Sequence, residues 1–207
     1  MSADTIFQII VLLFSIVVHE VCHGYAAYLL GDNTAKYEGR LTMNPLKHID
    51  PFGSVILPLL LFISGSNFLI GWAKPVPFNV YNLRNQRWGE AIVAFAGPLS
   101  NILIALIFGL LLRFGISTGL VLDPDIVRIT SYIVFINLLL AIFNLVPIPP
   151  LDGSKILFSV LNIGWNKTRE FLERFGVFIV LFFVFFLWHY VAAVIGKLFM
   201  LITGLYI

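Results

Sequence analysis

Residues 5–30 read TIFQIIVLLFSIVVHEVCHGYAAYLL, a run in which Glu20 is the one residue among Asp, Glu, Lys and Arg. A helix crosses a bilayer with about 20 largely apolar residues, so this stretch predicts a transmembrane helix with ionisable groups inside it. Such groups are costly in hydrocarbon and mark a functional site by default. Three further windows free of Asp, Glu, Lys and Arg, residues 91–112, 129–151 and 175–196, predict three more crossings. The whole chain agrees: of 207 residues, 59% are hydrophobic and 12% charged, where globular chains run at about 45–50% and about 25%. The net charge of +2 and the single cysteine, Cys22, exclude a nucleic-acid binder and a disulfide-stapled secreted domain. Asp4 in place of a basic leader, and the length of the apolar run, argue against a cleavable signal peptide.

A fifth charge-free window, residues 51–73, decides the topology. Gly53, Pro58, Gly65, Ser66, Asn67 and Gly71 interrupt it, and its continuous apolar part is too short to span as a helix. If the window returns to the side it came from and the N-terminus lies outside, ten Lys and Arg fall inside and three outside; if it spans, the count becomes six and seven. The positive-inside bias therefore predicts four crossings, with 51–73 dipping into the membrane from the cytoplasmic side. Such backbone is tolerated at depth only against protein or a wet cavity. The expected fold is an α-helical polytopic membrane protein: four transmembrane helices, one re-entrant segment and a small β region between the first two spans, all in one domain over residues 1–207. With no transit peptide, the expected location is a plasma membrane, multi-pass, with the N-terminus outside and the site opening to the cytoplasm.

His19-Glu20-Val21-Cys22-His23 lies late in the first window. Residues four apart share a helix face, about 6 Å apart along the axis, so both imidazoles can reach one metal with Glu20 beside the first. Two neutral imidazoles leave a tetrahedral zinc in need of a third protein ligand and an open position for water. A carboxylate there can take a proton from water and deliver it to a leaving amine. His19 lies about 21 Å along the helix from Thr5, within a hydrocarbon layer of about 30 Å, so the site is expected inside the membrane towards its cytoplasmic face. For the third ligand the sequence offers Cys22, Glu38, His48, Asp50, Asp152 and His189. Cys22 is about 100° around the helix from His23 and suits packing. Asp152 follows Pro147, Pro149 and Pro150, which break the helix and hold the backbone extended. Four crossings put it on the same side as His23; five would not.

These motifs carry a resemblance. His19 to His23 followed by Gly24, then Gly97-Pro98-Leu99-Ser100-Asn101, then Asn144-Leu145-Val146-Pro147 with Leu151-Asp152-Gly153, resemble in order the site-2 protease family of intramembrane zinc metalloproteases. Residues 44–53 and 71–77 resemble its compact prokaryotic branch, which carries no appended PDZ or CBS domain. The resemblance runs from about Val18 to Lys155. It implies one zinc per chain, held by His19, His23 and Asp152, with Glu20 as general base. It also implies hydrolysis of peptide bonds within or next to transmembrane segments of membrane proteins, the reaction of regulated intramembrane proteolysis.

Asn144 and Asn101 sit at membrane helices, where each can hold an oxyanion or substrate carbonyl, or simply make an interhelical hydrogen bond. His48 is a candidate proton relay. In residues 72–79, WAKPVPFN, Pro75 and Pro77 remove donors from one edge of an extended segment and leave those of Lys74, Val76 and Phe78 on the other. That edge can receive an unwound substrate as a strand, or pair with a strand of residues 34–42. The phenylalanines of residues 171–186 are expected to face lipid, and Arg169, Glu170, Glu173 and Arg174 to be solvated. The rival reading is non-enzymatic, a membrane metal transporter or sensor using the same cluster. It requires polar residues on several crossing helices, whereas residues 91–112 offer only Ser100 and Asn101. Expected partners are a transmembrane protein substrate and the lipid bilayer, with no nucleic acid; self-association stays open.

Overall fold

The computed structural model describes residues 3–56, 59–60, 63–64, 71–120, 123–162 and 166–206. Its helices are α1 (Ala3–Leu29), α2 (Thr34–Tyr37), α3 (Gly89–Ser117), α4 (Pro124–Asn144), α5 (Asp152–Val160) and α6 (Lys167–Thr203). Four of them, α1, α3, α4 and α6, are long and apolar enough to cross a membrane. Their ends follow local chemistry. Asp123 caps α4 by accepting from the Asp125 N–H, with Pro124 at the first helical position. Asn166 caps α6 through the Arg169 N–H, and Gly204 ends it at φ +78°, a conformation glycine adopts freely.

The long helices alternate in direction. Arg128 at the start of α4 lies 3.3 Å from Asp4 at the start of α1, and Arg113 near the end of α3 donates to the Leu201 carbonyl near the end of α6. At the opposite end Arg169, early in α6, meets Glu90, early in α3, at 2.6 Å. Helix α3 is the hub, packing on α1, α4, α5 and α6. In its most apolar window 39% of residues are buried, against 11% for α6, which is therefore the outermost span. Ala105 of α3, Val134 and Leu138 of α4, and Val191, Ile195 and Phe199 of α6 form one apolar cluster. At Gly109 a Cβ would lie 2.4 Å from Ile202 Cγ2, so glycine is what lets α3 and α6 close. Phe178, Phe182, Phe185 and Phe186 point outward, as a lipid-facing surface requires.

Two expectations need correction. The small β region between the first two spans is absent: none of the described residues forms a strand. Residues 34–37 coil into α2, and the extended stretch 71–79 has no ladder partner among the described residues. Pro75 and Pro77 have no N–H to give, Lys74 donates to the His48 carbonyl, Val76 to Glu20 and Asn79 to Asp32. Nor is Arg169 simply solvated. Its guanidinium grips Glu90 with two nitrogens, at 2.6 and 3.2 Å, and also reaches Glu173 at 2.9 Å.

The ends of the 51–73 window meet. The Trp72 N–H donates to the Gly53 carbonyl and the Ser54 hydroxyl to the Trp72 carbonyl, at 3.2 and 2.7 Å. A Cβ on Gly53 would run into the Trp72 indole at 2.3 Å. The chain that leaves at Gly53 thus comes back to it at Trp72. Residues 57–58, 61–62 and 65–70, on which the expected dip falls, lie outside the described residues. The stretch after Trp72 is tied to the foot of α1 by Asp32, which is fully buried. Asp32 accepts from the Thr34 hydroxyl and N–H, the Asn79 N–H and the Asn82 amide, at 2.6, 3.2, 2.8 and 2.9 Å. Burial alone would raise its carboxyl pKa; these donors more than offset that and hold it below the ordinary value.

Candidate metal centre

One turn of α1 brings His19 and His23 onto the same face, and the start of α5 sets Asp152 opposite them. His19 Nε2 and His23 Nε2 are 3.0 Å apart, and Asp152 Oδ2 is 3.1 Å from each. All three residues are buried, at 5%, 7% and 6% exposure. His23 Nδ1 lies 2.6 Å from the Val93 carbonyl, which can only accept, so the proton of a neutral ring is on Nδ1 and the Nε2 lone pair faces the cluster. His19 Nδ1 likewise donates to Asn101 Oδ1 at 2.6 Å. Three electron-pair donors therefore converge on one point. Pairs of tetrahedral zinc ligands at about 2.0–2.1 Å lie about 3.3 Å apart, close to the separations here. Two imidazoles and a carboxylate are also a donor set of catalytic zinc, so the residues fit that ion.

Neighbouring residues make the room. At Gly97 a Cβ would sit 2.4 Å from His23 Nε2 and 2.6 Å from His19 Nε2, so α3 passes the cluster only because it has hydrogen there. Val93, one turn before Gly97 on α3, offers its carbonyl to His23. Beside Asp152, a Cβ on Gly153 would meet the Leu145 carbonyl at 2.2 Å, so glycine allows α5 to begin against the end of α4. Lys155 holds the other carboxylate oxygen, Asp152 Oδ1, at 3.3 Å and leaves Oδ2 to the imidazoles. Glu20, next to the first histidine, is half-buried, and its Oε2 accepts from the Val76 N–H at 2.8 Å.

The sequence aligns with a Bacillus subtilis protein named "Putative zinc metalloprotease YwhC" at 37% identity over 182 residues, which is 85% of this chain and 80% of that one. The chain belongs to the site-2 protease family. The model of that family, Peptidase family M50, matches residues 113–187. Two further relatives, each named "Putative zinc metalloprotease Rip2", come from Mycolicibacterium smegmatis, 31% identical over 81% of this chain and 62% of that one, and from Mycobacterium tuberculosis H37Rv, 30% identical over 83% and 64%. No solved structure matches the chain. Membership of the site-2 proteases makes it a zinc metalloprotease of the membrane by family, in keeping with its four apolar helices.

The other sequence candidates fall around this site-2 protease cluster rather than in it. Asn144, at the end of α4, donates to the Leu140 carbonyl of its own helix. Asn101 is wholly buried, and both hydrogens of its amide go to protein acceptors, Asn137 Oδ1 at 2.8 Å and the Ser15 carbonyl at 3.3 Å. His48 is buried away from the cluster, with Nε2 on the Thr42 carbonyl. Lys74 and Val76 have both committed their N–H groups, to the His48 carbonyl and to Glu20. Sequence reasoning passed over three residues. Arg40, 4% exposed, holds the Lys74 and Pro75 carbonyls at 2.8 and 3.2 Å and so fixes the stretch that touches Glu20. Ser15 and Asn137 complete the polar contacts behind His19. The signal for Ser15 and Asn137 is a polar side chain among apolar neighbours, which names no partner; Arg40, in the polar stretch KYEGRLT, carries no such signal.

Proposed function

We propose that the chain is an intramembrane zinc endopeptidase that hydrolyses peptide bonds within or next to the transmembrane segments of membrane proteins. The observation that carries this reading is the convergence of His19, His23 and Asp152 inside a four-helix membrane bundle, with Glu20 one residue from the first ligand. One zinc per chain, when bound, supplies a Lewis acid that polarises the scissile carbonyl and acidifies water. Both rings offer Nε2 to the ion because their Nδ1 protons are engaged elsewhere. Glu20 takes the proton from the attacking water and returns it to the leaving amine nitrogen. Asn144, at the turn that leads to Asp152, is assigned to the substrate carbonyl. With both amide hydrogens of Asn101 committed, Asn144 has the better claim to that role.

A peptide bond in a transmembrane helix is shielded by its own hydrogen bonds, so the substrate must be unwound and its backbone re-satisfied. Residues 74–78 supply the edge for this, once the Lys74 and Val76 N–H groups have released the His48 carbonyl and Glu20. The charge count supports a plasma-membrane topology with the N-terminus outside and the site facing the cytoplasm. His48, beneath the Lys74 N–H, is assigned to holding this edge or relaying protons to it.

The test uses purified protein reconstituted in bilayers with a transmembrane peptide that the wild type cuts. Glu20→Gln is expected to keep its zinc and to lose about 10² to 10⁴-fold in turnover, the range for a general base. Asp152→Ala is expected to lose the zinc itself. Near-normal turnover in Glu20→Gln, or full zinc in Asp152→Ala with loss in His48→Ala, would overturn these assignments.

A further inference from the structure

Behind His19 lies a line of buried polar groups, Ser15 on α1, Asn101 on α3 and Asn137 on α4, of which only Asn101 belongs to a motif; the two amides are at 0% exposure. Its polarity can be worked out from one end. Asn137 is 2.9 Å from the Ile133 carbonyl, which can only accept, so the Asn137 NH2 must point there; its second hydrogen goes to Ser15 Oγ at 3.0 Å. Asn137 Oδ1 is therefore the atom turned to Asn101, and Asn101 must present its NH2 to it, at 2.8 Å. The other hydrogen of that NH2 reaches the Ser15 carbonyl at 3.3 Å, a second partner that can only accept. What is left to face His19 is Asn101 Oδ1, at 2.6 Å, so Nδ1 of His19 must carry the proton. Two backbone carbonyls thus dictate, through two amides, which nitrogen of the ring is free.

We propose that Asn137 is a positioning residue of the metal site: it locks the Asn101 amide, and through it the His19 tautomer whose Nε2 lone pair faces Asp152 and His23. The inference rests on the reading of His19 as a metal ligand. Without the Asn137 acceptor, Asn101 is held only by the longer bond to the Ser15 carbonyl, and its amide can turn over. An NH2 facing His19 Nδ1 favours the tautomer protonated on Nε2, which has no lone pair for a cation.

The test compares wild type, Asn137→Leu and Asn137→Asp. Leucine has the same branched shape, though it is larger, and offers no acceptor; aspartate presents an acceptor to Asn101 in either charge state. The zinc-free proteins are labelled with 15N-histidine and studied by NMR at about pH 8, above the ordinary imidazole range, with His19→Gln identifying the signal among the four histidines. Wild type is expected to have His19 protonated on Nδ1, Asn137→Leu to populate the other tautomer, and Asn137→Asp to resemble wild type. Zinc affinity, read by competition with a chelator, is expected to weaken about 10- to 100-fold in Asn137→Leu, the usual effect of losing a partner behind a ligand, and to recover most of that in Asn137→Asp. The inference fails if wild-type His19 is protonated on Nε2, a result that needs no variant to fold. It also fails if Asn137→Leu loses only thermal stability with tautomer and affinity unchanged, or if both variants lose affinity equally. Wild type that takes up no zinc would instead count against the metal site itself.

Discussion

A single hydrogen atom decides whether the cluster exists, and it is the one Gly97 carries in place of a side chain. A methyl group there would stand 2.4 Å from His23 Nε2 and 2.6 Å from His19 Nε2. Gly97→Ala is therefore expected to weaken zinc binding at least tenfold while the helices still form, since alanine is the better helix residue; chelator competition and circular dichroism together check this. Asp32 is the second residue on which much depends. Its folded pKa is depressed, so its contribution to stability is complete above the unfolded value of about 3.9 and is lost as pH falls through the folded one. Thermal unfolding in detergent between about pH 6 and pH 3 is expected to reveal this loss in wild type and a flatter profile in Asp32→Asn. That His19, His23 and Asp152 could meet was legible in sequence, because the two histidines sit on one turn and Asp152 ends a proline-broken span. Asn137 was not, because its partners lie on other helices and no spacing along the chain encodes them.

Among the elements, the extended stretch 71–79 is the one whose partners the sequence left open. Alternation around Pro75 and Pro77 names Lys74, Val76 and Phe78 as donors on one edge, but alternation cannot say what accepts. A strand was one answer; the fold uses a loop carbonyl and the Glu20 carboxylate. The same bond makes a prediction about the stretch. Val76→Pro removes an N–H that bonds Glu20 and none of His19, His23 and Asp152, so zinc content is expected to stay at one per chain while peptide cleavage falls about tenfold or more, the worth of roughly one hydrogen bond. Equal turnover in that variant would remove the edge from the mechanism. The spans themselves were legible because crossing a bilayer is a property of composition over about 20 residues, and composition survives any detail of packing. The tie between Arg169 and Glu90 was not, since a charge run on one helix looks solvated until the neighbouring helix is known.

For the whole molecule the open quantity is orientation, and it has a direct test. Single cysteines at Lys74, Arg84 and Lys167 in a Cys22→Ser background are expected to react with an impermeant thiol reagent from the cytoplasmic side, and one at Asp123 from the outer side only, as the charge bias requires. Labelling of position 74 from outside would overturn the four-crossing topology. The outermost span adds a measure of the layer it sits in. Helix α6 has 37 residues, about 55 Å at about 1.5 Å per residue, whereas the part between Arg174 and Lys197 covers about 33 Å, near the about 30 Å of a hydrocarbon core. Those two charges draw the edges of the lipid on the protein, and the first two turns of α6 stand clear of it. In a thinner bilayer α6 must tilt or push its phenylalanines among headgroups. The grip of Arg169 on Glu90 would hand part of that tilt to α3, making lipid chain length a variable of the helix that passes closest to the metal ligands.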